Sequence, residues 1–403
     1  MRVTVLHPDL GIGGAERLIV DAALALQAKG HTVKVVTNQY DSAHAFRECS
    51  QLDISTSFSW FPRAFCGRFK ALFAYIRMCL AAVYVALFMQ QDVILCDQIS
   101  ACLFVLRCLT KARLVFYCHF PDLLLTDRNG RLKSWYRKVI DCLEARSIDK
   151  ADVICVNSNF TASIVRLTFP RLAARPLTVL YPSLNTAFFD STEPSRPYKL
   201  ERDQGGFDHM FVSLNRFEGK KNHHLAIDAF VELGKRLKPS EYARCHLIVA
   251  GGYDRKNDEN LIVFRQLRDY ALECGISSRT HFFLQSPTDE EKLWLLRNAR
   301  AVLYTPSNEH FGIVPVEAMY CGTPVIAVDS GGPKESIEHG KTGLLVEPTL
   351  NAFCDAMLQM ILKEDTRKAM SEEGPRRVRR LFAFEAFADA LNNIVQGGAA
   401  ASN

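Results

Sequence analysis

No basic stripe with interleaved aromatics runs through this chain, and its formal net charge is only +5. Nucleic acid is therefore not an expected partner, although a mild positive balance permits attraction to an anionic membrane face or to diphosphates. No cysteine spacing suits a metal: the thirteen thiols are scattered, and an odd number cannot all pair. Several (Cys79, Cys96, Cys118, Cys155) lie in apolar runs, where a thiol behaves as a small hydrophobe, so a reducing compartment is expected. There is no paired-Asp metal motif and no internal repeat. No signal peptide is visible, since Arg2–Leu6 already reads as a core strand. Toward the carboxyl end there is no apolar run comparable to Ala71–Met89.

That run has 19 residues and a single charge, Arg77, with Arg63, Arg68 and Lys70 upstream. Its length suits a bilayer, for which about 20 apolar residues are needed. Strands expected before it and after it should share one parallel sheet, and a span would put them on opposite sides of a membrane. An interfacial helix is the favoured reading, a buried core helix comes next, and a spanning helix last.

What is present describes a folded globular protein: 48% apolar and 23% charged over 403 residues. Two domains of ordinary size are expected, each with its own core. Strand-like runs alternate with helical ones throughout, which predicts an α/β architecture. The expected division is 1–190, carrying the apolar helix near 71–89; 191–380; and 381–403, an amphipathic helix (Phe384, Phe387, Leu391, Ile394) with a frayed tail. The polar segment Ser191–Gly206 reads as the linker.

In the first domain, Val3–Leu6 leads into His7-Pro8-Asp9-Leu10-Gly11-Ile12-Gly13-Gly14 and a helix from Ala15 to about Ala28. Strand, glycine loop and helix form a layout suited to phosphate. It is not the dinucleotide fingerprint, because Glu16 stands where the third glycine is needed and the next strand ends in Thr37-Asn38, without a ribose-binding acid. Val93–Cys96 with Asp97-Gln98, and Leu114–Cys118 with His119, continue the alternation. Polar groups at the carboxyl ends of parallel strands face the ligand crevice, so His119 is a candidate; a lone histidine is equally often a satisfied near-core residue. In the second domain Arg216 and Lys221 sit on a strand-to-helix loop, where cations can clamp a diphosphate, although such side chains taken singly are usually solvated surface.

The most informative stretch is Tyr304–Val346. Ala301–Thr305 reads as a strand, a helix starts near Pro315 at its first position, and Pro324–Val328 and Leu344–Val346 are further strands. Glu309 lies in the loop and Glu317 in the helix's first turn, so one ligand could touch both. Gly312 leaves room for a phosphate at a positive helix end. Either acid alone reads as solvated, or as favoured by the helix dipole.

Taken together, Glu309, Phe311-Gly312, Glu317 and Gly322-Thr323-Pro324-Val325 resemble the signature of retaining GT-B glycosyltransferases of family 4. HPDLGIGGAER (His7–Arg17), CDQISA (Cys96–Ala101), YCHFPDLLLT (Tyr117–Thr126), LYPSLN (Leu180–Asn185) and LNRFEGKKN (Leu214–Asn222) are similar, more narrowly, to the eukaryotic α-1,3/1,6-mannosyltransferases of dolichol-linked oligosaccharide assembly. The resemblance implies two Rossmann-like, doubly wound domains facing across a cleft. It implies GDP-mannose as donor, a dolichyl-diphosphate-linked Man-GlcNAc2 acceptor extended by two mannoses, and a place at the cytosolic face of the endoplasmic reticulum membrane. Other glycosyltransferases of the same pathway are candidate partners. It assigns Arg216 and Lys221 to the diphosphate, Glu309 to the transferred sugar, Glu317 to the ribose, Gly13 and Gly14 to the donor phosphates, and His119 to the sugar near its reactive centre. No metal or other cofactor is implied; the two cations and the helix end would take its place. Two alternatives stay open: a transferase of the same fold with another lipid-linked or soluble acceptor, and a non-catalytic nucleotide-sugar-binding scaffold.

Overall fold

A computed structural model describes residues 1–64, 70–125, 131–201, 207–254 and 257–398. Arg68 of the basic flank and Thr126 of the YCHFPDLLLT motif lie outside the described residues. The chain forms two compact units, Met1–Ser183 with Phe384–Asn403, and Leu184–Ala383.

The first unit is built on β1 (Arg2–Leu10), β2 (Thr32–Tyr40), β3 (Asp53–Thr56), β4 (Val93–Asp97), β5 (Arg113–Cys118), β6 (Val153–Val156) and β7 (Leu177–Val179). The central runs are rich in Val, Ile and Leu and are buried on both faces, as a parallel sheet covered by helices requires. All pair in parallel in the order β3-β2-β1-β4-β5-β6-β7. The direction of strand addition reverses between β1 and β4, whose register is Val3↔Val93 to Leu6↔Cys96.

The second unit repeats the plan with β8 (His209–Leu214), β9 (Cys245–Ala250), β10 (Thr280–Phe283), β11 (Ala301–Tyr304), β12 (Val325–Val328) and β13 (Gly343–Val346). Their order is β10-β9-β8-β11-β12-β13, again all parallel, with the reversal between β8 and β11. In doubly wound sheets ligands bind outside the carboxyl ends of strands at such reversals.

Three expectations change, and one helix is new. First, the strand expected to end at Leu6 runs on through His7-Pro8-Asp9-Leu10, where Leu10 pairs with Tyr40, so the glycine loop is shorter than read. Secondly, Ser191–Gly206 is not a free linker as far as it is described. The division falls at 183/184, Ser195 N–H donates to the Glu290 carbonyl (3.1 Å), and the Arg196 guanidinium lies 5.6 Å from the Trp294 ring, all within the second unit. Thirdly, the carboxyl-terminal helix Phe384–Gln396 is no separate element. It returns to the first unit and packs on the Gly14–Ala28 helix, burying Phe387, Leu391 and Ile394. The new helix spans Glu364–Leu381 and carries Pro375 inside it, where a proline argues locally against one.

The apolar helix spans Lys70–Phe88 and by length and composition could cross a membrane. Here it lies along the sheet of the first unit, with Tyr75, Met78, Ala81, Ala82 and Val85 buried. Its one internal charge, Arg77, is buried too and pairs with Asp9 at 3.2 Å. Because β1 precedes it and β4 follows it in directly paired register, crossing a bilayer would tear the sheet. The opposite face leaves Leu72, Leu87 and Phe88 exposed, with Trp60 nearby in sequence 76% exposed.

Candidate active site

The second unit places its chemistry on the two loops that follow β8 and β11. After β8 the chain makes a tight turn, Gly219–Lys221, and Asn222 takes the left-handed conformation (φ 50) before the helix His223–Arg236. Two buried groups anchor this turn. His223 Nε2 lies 3.2 Å from the Asn215 carbonyl and its Nδ1 lies 2.8 Å from Ser213 Oγ. Burial pushes the His223 pKa down to about 4, so the ring is neutral. Nε2–H therefore donates to the carbonyl and Nδ1 accepts from the serine. On the other side Gly251 presses against Asn215, where a Cβ would come within 1.7 Å of the carbonyl oxygen.

So held, Lys221 directs its ammonium to Glu309 Oε2 on the loop after β11, forming an ion pair in which both side chains are largely buried. Tyr304 at the end of β11 also donates to Glu309 Oε2, at 3.3 Å. Burial alone would raise the Glu309 pKa, but the adjacent Lys221 charge prevails and holds it below the ordinary carboxylate range. The Glu309 backbone is fixed by two glycines. Gly331 has φ 65, and a Cβ there would meet the Glu309 carbonyl oxygen at 2.4 Å. Gly332 N–H donates to that same carbonyl at 2.8 Å.

Gly312 caps the helix Ile313–Tyr320 with φ 81, a conformation glycine adopts without strain. A Cβ there would come within 2.9 Å of the Tyr304 hydroxyl. The helix thus begins before Pro315 rather than at it, and Glu317 stands past the first turn, further in than the sequence suggested. That position removes most of the helix-dipole benefit, which is confined to the first turn. Lys292, on the helix Asp289–Asn298, supplies the missing charge: its Nζ lies 2.6 Å from Glu317 Oε1. Glu317 Oε2 is buried without a hydrogen-bond partner.

Arg216 is exposed and pairs with Glu218 at 3.0 Å, and Glu218 also faces Lys220 at 3.1 Å. Of the four residues read as one set, the structure joins Lys221 with Glu309. It places Arg216 on the same turn as Lys221 and gives Glu317 a partner, Lys292, that the sequence had not singled out. Tyr304, read only as part of a strand, feels both Glu309 and Glu317. Burial and these two carboxylates push its phenol well above the ordinary range.

In the first unit Gly13 precedes the helix Gly14–Ala28 in an extended conformation (φ −171), and a Cβ on Gly13 would meet the Glu16 carboxylate at 2.2 Å. A Cβ on Gly14 would meet nothing within 4 Å. His119 lies just past β5 with its Nε2 2.9 Å from Asp97 Oδ2 at the end of β4. The other oxygen of Asp97 lies 2.7 Å from Nδ1 of His7, which sits in β1. The sequence picked out His119 but not its partner Asp97, nor His7 on the other oxygen of that carboxylate.

Two all-parallel doubly wound units, each with charged residues at its reversal, are the plan on which GT-B glycosyltransferases are built. Residues 12–188 match the family Glycosyltransferase Family 4, and residues 200–377 match Glycosyl transferases group 1. The fold is similar to sucrose-phosphate synthase from Thermosynechococcus elongatus (TM-score 0.74, 21% identity, 98% of each chain). It is also similar to Anabaena Alr3699/HepE in complex with UDP (TM-score 0.71, 18% identity, 98% of this chain and all of that one). The chain is 46% identical to the human alpha-1,3/1,6-mannosyltransferase ALG2 over 98% of its own length and 95% of the relative's. It is 42% identical to the Dictyostelium discoideum ALG2 and 35% identical to the Saccharomyces cerevisiae one, each over 98% of this chain and over 98% and 84% of the relative respectively. The chain belongs to the ALG2 family of α-1,3/1,6-mannosyltransferases.

Proposed function

We propose that the protein transfers mannose from GDP-mannose, with retention of configuration, to a dolichyl-diphosphate-linked Man-GlcNAc2 acceptor, adding α-1,3 and α-1,6 mannoses. The Lys221–Glu309 pair at the β8/β11 reversal carries this reading. A lysine buried there unpaired would be costly, so the glutamate stores its charge until a diphosphate arrives to share it. Arg216, exposed on the same turn, adds a second cation that can grip phosphate in bidentate fashion. Gly312 and the start of the Ile313–Tyr320 helix add backbone donors at a positive helix end. Glu317, with one oxygen unpartnered, accepts from the ribose hydroxyls.

Glu309 Oε2 already takes bonds from Lys221 and Tyr304, which makes the carboxylate a poor nucleophile. A same-face displacement fits better: the leaving diphosphate draws the proton from the acceptor hydroxyl while Lys221 and Arg216 stabilise its developing charge. Each such donor typically contributes about 2.7–4 kcal/mol. In the first unit, Gly13, Gly14 and His119 offer a backbone approach and a ring nitrogen to the donor's phosphates and sugar. No metal enters this scheme, so chelators should leave turnover unchanged.

The exposed apolar face of the Lys70–Phe88 helix rests on a membrane surface, in keeping with a lipid-linked acceptor at the cytosolic face of the endoplasmic reticulum. Other transferases of that pathway are natural neighbours there. Purified full-length protein, GDP-mannose and a synthetic short-chain acceptor test the whole proposal. Product gaining two hexoses, with linkages read by exomannosidase digestion and mass spectrometry, supports it. Donor hydrolysis or binding without transfer to this acceptor overturns it in favour of another acceptor or a non-catalytic role.

A further inference from the structure

The first unit holds a charge cluster deeper than the Lys221–Glu309 pair of the second. Asp97 ends β4 completely buried, and its two oxygens face two histidines, Oδ1 to His7 Nδ1 at 2.7 Å and Oδ2 to His119 Nε2 at 2.9 Å. His7 is fully buried within β1, whereas His119, just past β5, is 24% exposed at its side chain. The three therefore rank from core to surface, with the carboxylate in the middle. Two backbone features shape the turn that follows Asp97. Gln98 takes a left-handed conformation (φ 56), unfavourable for a residue with a side chain, and Ile99 N–H closes a tight turn onto the Asp97 carbonyl at 2.6 Å. The His119 backbone is held independently, its carbonyl accepting from Asn157 Nδ2 at 3.1 Å.

We propose that Asp97 is a positioning residue that fixes His119 as the Nε2–H tautomer, so that His119 Nδ1 is presented as a hydrogen-bond acceptor to a hydroxyl of the bound sugar. An ionised carboxylate has no proton to give, so both ring nitrogens facing it must be donors. Once Nε2–H is committed to Asp97, the neutral His119 ring has only a lone pair left, on Nδ1. His7 keeps Asp97 ionised. Burial alone would lower the His7 pKa and raise that of Asp97, yet the attraction between them prevails over burial, leaving His7 above its ordinary value and Asp97 below its own. Asp97 thus accepts from one nitrogen of each ring, whatever charge the rings carry.

The inference rests on the proposed role of His119 only for what the ring touches; the tautomer itself stands on the Asp97 contact. Two readouts separate these. In full-length protein with 15N-labelled histidine, His119 (assigned by loss of its signals in His119→Gln) should show a pyrrole-type Nε2 and a pyridine-type Nδ1 at neutral pH. The reverse pattern, or two protonated nitrogens, overturns the tautomer assignment without any change at Asp97. The second readout is transfer from GDP-mannose by Asp97→Asn, whose amide can donate to Nε2 and so release the tautomer. Its kcat/KM should fall about 10–100-fold, the usual cost of removing a carboxylate that orients a histidine. In a His119→Ala background the same change should cost nothing further. An equal loss in both backgrounds shows that Asp97 acts through the fold and overturns the proposal. If His119→Ala alone transfers at the wild-type rate, the reading of His119 as a sugar contact fails, and the tautomer measurement still stands.

Discussion

The two reversal points are built to one plan and filled with opposite chemistry. At β8/β11 a lysine and a glutamate meet on glycine-braced loops near the surface, with an exposed arginine on the same turn. At β1/β4 a carboxylate is sealed between a histidine inside β1 and another just past β5, with only the second ring reaching solvent. The first arrangement has charge to lend to an anion. The second commits its carboxylate to two ring nitrogens and offers a directional hydrogen bond, suited to neutral hydroxyls. Cations suit an anionic group and a directional acceptor suits a hydroxyl, so one plan of sheet carries two kinds of recognition.

The largest expected effect breaks the open pair. Lys221→Met should lower kcat about 10²–10³-fold, the usual loss when a donor that stabilises developing negative charge is removed. It also takes the ammonium away from Glu309, so the melting temperature should drop. Lys221→Met/Glu309→Gln should recover that melting temperature but not the rate. Single-turnover assays and thermal melts on the three variants separate catalysis from charge burial, and recovery of rate in the double variant would contradict the diphosphate role. A smaller effect concerns Glu317. If Lys292 only holds its carboxylate for the ribose, Lys292→Met should raise the KM for GDP-mannose about tenfold with kcat little changed, since it removes binding shared by ground and transition states. Initial rates across donor concentrations decide this.

The comparison also predicts that membrane contact belongs to the first unit alone. Leu87→Glu/Phe88→Glu should weaken co-sedimentation with anionic vesicles while soluble-donor binding is kept, because these side chains are exposed and distant in sequence from the donor loops. Unchanged co-sedimentation would remove the helix from that role. The smallest effect is on pH. Glu144 is buried, and its carboxylate accepts from the N–H groups of Asp122 (2.8 Å) and Leu123 (3.2 Å) beyond His119. Burial pushes its pKa from 4.5 up to about 7. Because the folded value is the higher one, the stability this group contributes is complete below 4.5 and lost as pH rises through about 7. Melting temperatures of Glu144→Gln should lack that component of the pH dependence, and an unaltered profile would show that the buried carboxyl does not titrate there.

Legibility differed between the two sites for a physical reason. Glu309, Glu317 and Gly312 are near neighbours in sequence, so local strand, loop and helix signals suffice to bring them together. Arg216 and Lys221 share one short loop in the same way. Asp97, His7 and Lys292 lie far in sequence from the groups they serve, and each looks like an ordinary polar residue at an element's end or on a helix face. The helix over Glu364–Leu381 stayed hidden because Pro375 speaks against it locally, whereas tertiary packing holds Met370, Gly374 and Val378 in place.

Composition and periodicity by themselves determined that this chain alternates strands and helices over a length fit for two domains, because burial on both faces of a parallel sheet demands continuous apolar runs that can be read one segment at a time; the doubly wound plan came only with the resemblance. Tertiary structure alone decided which charges meet. Pairing Lys221 with Glu309, Lys292 with Glu317 and Asp97 with two histidines depends on strand order and on loops brought together from distant parts of the chain. It also turned Arg77 of the most apolar helix inward to Asp9, since a buried charge takes the partner that the fold provides.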